Sequence, residues 1–153
     1  MSIKKYVFGI KKHPFKLVGK NYPGLAKWAS GGLAPNGLLY FTPYLNNKVL
    51  EFNPLTYESQ YLGSEIDANE AYLGAVLSSN GKLYASPLMA NKILEIDPIL
   101  KTTNLVGIDL GSLSYKWFGG CLATNDKIYY APYNHHSILE FDPYTYAIRF
   151  IKS

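Results

Sequence analysis

Apolar and polar positions alternate in short runs along this chain, and turn residues separate the runs, with no sustained helical period between them. Trp28 to Ala34 reads as a strand. Pro35-Asn36-Gly37 follows as hairpin-turn chemistry, because Asn and Gly tolerate positive φ. Leu38 to Pro43 is a second strand. Leu45-Asn46-Asn47 turns the chain into Lys48 to Phe52, where Glu51 stands among apolar residues as in a strand with one face on a core. Asn53-Pro54-Leu55-Thr56 makes a further turn, and Tyr57 to Leu62 is a fourth strand that ends at Gly63.

The same pattern returns twice. Leu33, Leu77 and Leu122 correspond, as do Asn36, Asn80 and Asn125, then Tyr40, Tyr84 and Tyr129, and then Pro43, Pro87 and Pro132, at spacings of 44 and 45 residues. Further along, Leu50-Glu51, Leu94-Glu95 and Leu139-Glu140 precede Pro54, Pro98 and Pro143. A period in the low forties with strand patterning is that of a four-stranded propeller blade. The expected fold is therefore all-β, a β-propeller-like array of about three four-stranded blades within one domain, 1–153. The repeats run 21–63, 64–107 and 108–153. Residues 2–20 look like the back half of a further blade, because Tyr6 to Ile10 matches a third strand and Phe15 to Gly19 lines up with Thr103 to Gly107.

Closed propellers have four to eight blades, so three and a half blades call for completion. The simplest completion is self-association, two chains giving a six- or seven-bladed ring. An open arc within a larger structural assembly is the alternative.

Composition narrows the function classes. With 153 residues and 48% of them apolar, the chain is long enough for one well-buried core. Its single cysteine, Cys121, excludes an intrachain disulfide, and its strand position, equivalent to Gly32 and Val76, predicts a small buried side chain. The start, MSIKKYVFGIKKHPF, lacks the apolar stretch of a secretory signal, and no apolar run approaches a membrane span, so the sequence reads as that of a soluble protein with no membrane partner. The net charge of +4 is spread along the chain, although Lys4, Lys5, Lys11, Lys12, Lys16 and Lys20 concentrate part of it near the start. Interleaved apolar residues and a single arginine, Arg149, argue for lysines guarding a strand edge and against a nucleic-acid surface.

Candidate binding residues follow from the turn pattern. In an up-and-down blade the connections after strands two and four share one face of the disc. That face carries the irregular loops: Tyr44, Asn46 and Asn47 in the first repeat, Asn91 in the second, and Tyr133, Asn134, His135 and His136 in the third. Each long connection ends in an aromatic, Trp28, Tyr72 or Trp117. These rings are expected either near the central channel, where they would suit a sugar ring or a peptide side chain, or between blades as packing wedges. His135 and His136 point to opposite faces if they lie in a strand and have no acidic or Cys partner at ligand spacing, so loop hydrogen bonding is expected of them and no metal. Glu51, Glu95 and Glu140 lie on third strands, where each is expected to meet a lysine or a backbone donor between blades. No Gly-rich phosphate loop, G-x-S-x-G motif or cofactor-binding motif is present.

The motif N-G-x-[LI]-Y-x-x-P followed by [VI]-L-E-[FI]-[ND]-P resembles β-propeller repeats of the broad type that includes the YVTN, NHL and kelch-like proteins, over residues 28 to 151. The resemblance is specific for architecture and implies no single activity, since propellers host lectins, scaffolds and hydrolases. The sequence therefore supports a non-enzymatic scaffold that binds a protein partner through one loop face. A carbohydrate-binding, lectin-like role is the alternative, a structural part of a larger assembly the next, and a propeller hydrolase or lactonase the last.

Overall fold

A computed structural model describes residues 16–67 and 71–152 of the chain. Twelve strands form three antiparallel sheets of four, each in simple meander order. The first sheet contains β1 (Trp28–Leu33), β2 (Leu39–Pro43), β3 (Val49–Phe52) and β4 (Ser59–Leu62). The second contains β5 (Tyr72–Leu77), β6 (Leu83–Pro87), β7 (Ile93–Asp97) and β8 (Thr102–Val106), and the third β9 (Trp117–Leu122), β10 (Ile128–Pro132), β11 (Ile138–Phe141) and β12 (Ile148–Ile151). Each strand begins and ends within two residues of its expected position in the repeat. The residues assigned by sequence to a preceding strand pair fall, up to Phe15, outside the described residues.

Strands pleat, so alternate residues of each sheet face opposite ways. In the first sheet Gly32, Tyr40, Glu51 and Gln60 are successive cross-strand neighbours on the face turned toward the second sheet. Leu39, Phe52 and Ser59 lie on the opposite face. The second sheet turns Leu83, Ile96 and Thr103 back toward the first and Tyr84, Glu95 and Asn104 onward toward the third. β1 packs beside β5 and β5 beside β9, so the three sheets stand like vanes with their first strands innermost.

The core lies between the sheets. One cluster joins Tyr40, Val49 and Leu62 of the first sheet to Leu83, Leu94 and Ile96 of the second. Another joins Tyr84, Ile93 and Val106 to Trp117, Ile128, Leu139 and Phe141 of the third. The approach is close at Gly32, where a Cβ would stand 2.5 Å from Leu83 and 2.6 Å from the carbonyl oxygen of Ala75. The glycine lets the first two sheets meet backbone to side chain.

A polar network repeats inside each interface. Asn36, Asn80 and Asn125 each donate to the tyrosine four residues on, Tyr40, Tyr84 or Tyr129, at 2.9 Å. Asn36 also reaches the carbonyl of Pro98, and Asn80 that of Pro143, in the next sheet. Glu51 accepts from Gln60 of its own sheet and pairs with Lys101 from the second sheet. Glu95 accepts from Lys82, Tyr84 and Asn104 of its own sheet and from Tyr146 of the third. Tyr57, Lys101 and Tyr146 hold the same place in the three repeats, and each has a left-handed backbone, with φ of 62°, 58° and 60°. That conformation is uncommon for bulky residues. In the second and third repeats it accompanies a side chain that reaches the glutamate of the sheet before.

Cys121 departs from the sequence reading, because it is exposed. Its counterparts Gly32 and Val76 meet the following sheet, whereas among the described residues nothing packs on the onward face of the third. Burial at this position comes from a neighbouring sheet and not from the strand that carries it.

Candidate functional site

The connections after the second strands and the long connections between repeats lie together at one end of the vanes, joined by backbone hydrogen bonds. Tyr44 N–H donates to the Lys27 carbonyl and Tyr133 N–H to that of Lys116, both at 2.9 Å. Ile66 N–H donates to Asn47 and Leu110 N–H to Asn91, both at 2.8 Å. The wholly buried Lys116 extends its ammonium to the carbonyls of Gly111 and Leu113 at 3.0 Å and of Met89 at 3.3 Å, which fixes the loop that precedes β9. Lys27, its counterpart in the first repeat, likewise donates to the Gly24 carbonyl at 2.8 Å.

On this scaffold Tyr133 is exposed and stands 5.6 Å from Phe118 and 6.4 Å from Tyr115, ring centre to ring centre. All three rings reach solvent, at 64%, 54% and 41% of their surface respectively. Tyr115 holds a left-handed backbone at φ 55°, and its carbonyl accepts from Asn134 N–H at 2.9 Å. The Asn134 side chain donates to the Ser114 carbonyl at 3.1 Å. Three accessible aromatic rings with an ordered amide beside them form a rigid apolar platform with a polar rim, a composition suited to anchoring a ligand or partner.

The remaining residues singled out by sequence divide between loop tips and sheet interfaces. Tyr44, Asn46 and Asn47 are half-buried, whereas Asn91 and His136 are exposed. Asn46 caps its own turn by accepting from Lys48 N–H at 3.0 Å. His135 fills the same role with Nδ1, which accepts from Ser137 N–H at 3.2 Å, and its ring lies 4.4 Å from Trp117 and 5.2 Å from Phe150.

Trp28 and Trp117 direct their indoles along the sheets toward the outer strands and away from the channel. Each Nε1 donates at 2.9 Å, to the Lys48 and Ser137 carbonyls respectively. Trp117 and Tyr72 have no exposed surface, so these two rings are the interior wedges of their interfaces and present no face to a ligand. Trp28 is half-buried and packs edge-on to Tyr22 at 5.2 Å. A register shift recurs within two residues after each of these aromatics, between Trp28 and Ser30, between Leu73 and Ala75, and in the third sheet opposite Tyr130 and Pro132. Such a bulge re-aims the side chains on either side of it.

Phe118 and Tyr115 were absent from the sequence reading. Phe118 stands where the other repeats have Ala29 and Leu73, so a large apolar residue at an innermost-strand position was its one available signal.

Electrostatically the three glutamates are occupied. The Glu140 carboxyl is held down to about 2 by hydrogen bonds from Arg149 and Lys127, against a smaller upward push from burial. Burial pushes Glu51 and Glu95 upward, but their hydrogen-bond donors outweigh it and both lie below the ordinary range. No group of three or more His, Cys, Asp or Glu that could hold a metal occurs among the described residues. No helix among them is long and apolar enough to cross a membrane.

No protein-family model matches the chain. No curated protein matches it either. Among solved structures it is similar to virginiamycin B lyase from Staphylococcus aureus, with a TM-score of 0.72 and 14% identity over 86% of this chain and 43% of that one. A streptogramin B lyase gives 0.69 and 15% over 84% and 41%. An auxiliary nutrient binding protein from Bacteroides ovatus gives 0.61 and 17% over 80% and 30%. The chain thus spans less than half the length of each. Likeness at such identity speaks for the fold, and with three successive four-stranded antiparallel meanders it makes this chain a β-propeller repeat protein. Each sheet is one blade.

Proposed function

We propose that the chain is a non-enzymatic binding scaffold that engages a protein partner through its loop face, with Tyr133, Phe118 and Tyr115 as the anchor. The joint exposure of those three rings carries the reading. Tyr44, Asn46, Asn47, Asn91, Asn134 and His136 supply the polar surroundings, and two chains together complete the disc. The buried carboxylates of Glu51, Glu95 and Glu140 are each engaged by side-chain donors, the first two across blades, which supports binding over catalysis.

A carbohydrate ligand is the second reading. Paired accessible rings beside Asn134 present the apolar face and directional donors that a sugar ring requires. One of the similar structures is also described as a nutrient binding protein.

Selection of a random peptide library and a glycan array, each run on the native chain and on Phe118→Ser/Tyr133→Ser, would test both. Peptides enriched on the native chain alone support the protein-binding reading. Glycans retained by the native chain alone select the carbohydrate reading. Identical behaviour of the two proteins would overturn the loop-face site.

A further inference from the structure

The third blade carries onward the face that its two predecessors use to grip the next blade, yet nothing covers it among the described residues. Val49 and Ile93 have no exposed surface, whereas Ile138 in the same position is 38% exposed. Tyr40 and Tyr84 are likewise wholly buried and Tyr129 is not. Thr42 and Ser86 are enclosed, and their counterpart Ala131 is exposed. A terminal blade that faced only water would be expected to replace such residues with polar ones.

The polar lock on this blade is also short of its cross-blade members. Asn125 bonds Tyr129 as Asn36 and Asn80 bond their tyrosines, but among the described residues it makes no second bond to a proline carbonyl. Glu140 accepts from Lys127, Tyr129 and Arg149, all of its own blade, and among the described residues it has no counterpart of Lys101 or Tyr146. At the other end, Tyr57 has the left-handed backbone of those two residues and is 47% exposed. Leu39 and Phe52 of the first blade are only half-buried, whereas Leu83 and Ile96, and Ile128 and Phe141, have no exposed surface.

We infer that the onward face of the third blade docks on the first blade of a second copy of this chain, with the inner strands set as they are in the two interfaces already present. Tyr57 of that copy donates to Glu140, Asn125 reaches its Pro54 carbonyl, and Ile138 and Cys121 close over its Leu39. Each copy offers one face of each kind, so two copies and two such contacts complete a six-bladed ring, within the range of closed propellers. Gly19 stands against the Tyr57 carbonyl, and Tyr22 bonds Ser59 at 2.8 Å, so the outer edge of the first blade is held by its own chain. The docking area is the inner strands. The docking rests on the proposal that two chains complete the disc and gives that contact its residues, but it does not depend on the loop-face site.

Light scattering on a sizing column, run as a concentration series together with iodoacetamide labelling of Cys121, tests the inference. The expected result is a mass of twice 17.1 kDa with Cys121 protected. Ile138→Glu changes a side chain already in contact with water, so it is expected to give a monomer with unchanged strand circular dichroism and a reactive Cys121. Tyr57→Phe should loosen the dimer by about a hundredfold, about tenfold at each of its two contacts, the effect of removing a hydrogen bond to a charged group. Tyr57→Lys, which copies Lys101, should keep the dimer. A monomeric native chain, a species larger than a dimer, or a dimer that survives Ile138→Glu with Cys121 reactive would each overturn it.

Discussion

Tyr146, at φ 60° in the turn before β12, donates its hydroxyl to Glu95 of the preceding blade at 2.7 Å. Because Glu95 is buried and Tyr146 comes from another strand meander, this bond helps to tie the two blades, alongside those that Asn80 and Tyr84 donate to the Pro143 carbonyl. Tyr146→Phe keeps the ring, which lies parallel to Phe141 at 6.3 Å, and removes only the donor. The expected cost is about 1.5 kcal/mol. Thermal unfolding followed by circular dichroism should show a fall in Tm of about 3–6 °C.

The same networks predict how stability changes with acid. Glu140 titrates at about 2 in the folded chain against an ordinary 4.5, so the unfolded chain takes up its proton first as the pH falls. Its contribution is therefore full above 4.5 and is lost between 4.5 and about 2. Glu51 and Glu95 are shifted in the same direction and add to the loss. Urea midpoints measured from neutral pH downward should stay level and then drop across that window, and Glu140→Gln should make the drop shallower. A midpoint that holds steady through the window would contradict the networks.

Tyr130 makes the opposite case. Its hydroxyl is buried between the second and third blades and has no hydrogen-bond partner, and burial followed by the nearby Tyr84 pushes its titration upward. Phe41 and Ala85 fill this position in the other repeats. Tyr130→Phe removes an unsatisfied polar group at almost no change in volume, so the protein should gain about 1 kcal/mol. Chemical denaturation with an unchanged slope and a raised midpoint would register that gain. A lowered midpoint would mean that the hydroxyl is satisfied in solution, by water for example.

The blades were legible in the sequence because their cues are local. An Asn-Gly turn demands the same residues wherever it occurs, and Leu50, Leu94 and Leu139 recur because each fills an equivalent place in a third strand. The cross-blade donors were harder to find. Tyr57, Lys101 and Tyr146 share a backbone conformation and, in two cases, a target, but not a residue type, so no motif marks them. Cys121 was misread for a related reason, since its burial depends on whether a further blade arrives. The direction of the Trp28 and Trp117 rings depends on a bulge that the repeat pattern does not announce. The aromatic platform was half visible: Tyr133 lay in an irregular loop, but Phe118 belonged to a strand and Tyr115 becomes a neighbour only through the turn into β9.

That division between wedge and platform can be tested with two truncations. Trp117 has no exposed surface, its indole donates to Ser137, and it packs in the cluster that contains Ile93 and Ile128. Trp117→Ala opens a cavity between the second and third blades and should cost about 3–5 kcal/mol. Tyr133, nearly two-thirds exposed, should cost at most about 0.5 kcal/mol when truncated to alanine, because little packing is lost at the surface. Ligand capture should move the other way. Tyr133→Ala is expected to abolish retention of whichever peptides or glycans the native chain selects, at an unchanged Tm. Trp117→Ala should retain them at temperatures where it stays folded, because its ring never meets the ligand. Loss of retention in folded Trp117→Ala together with normal retention in Tyr133→Ala would move the site from the loop tip to the channel.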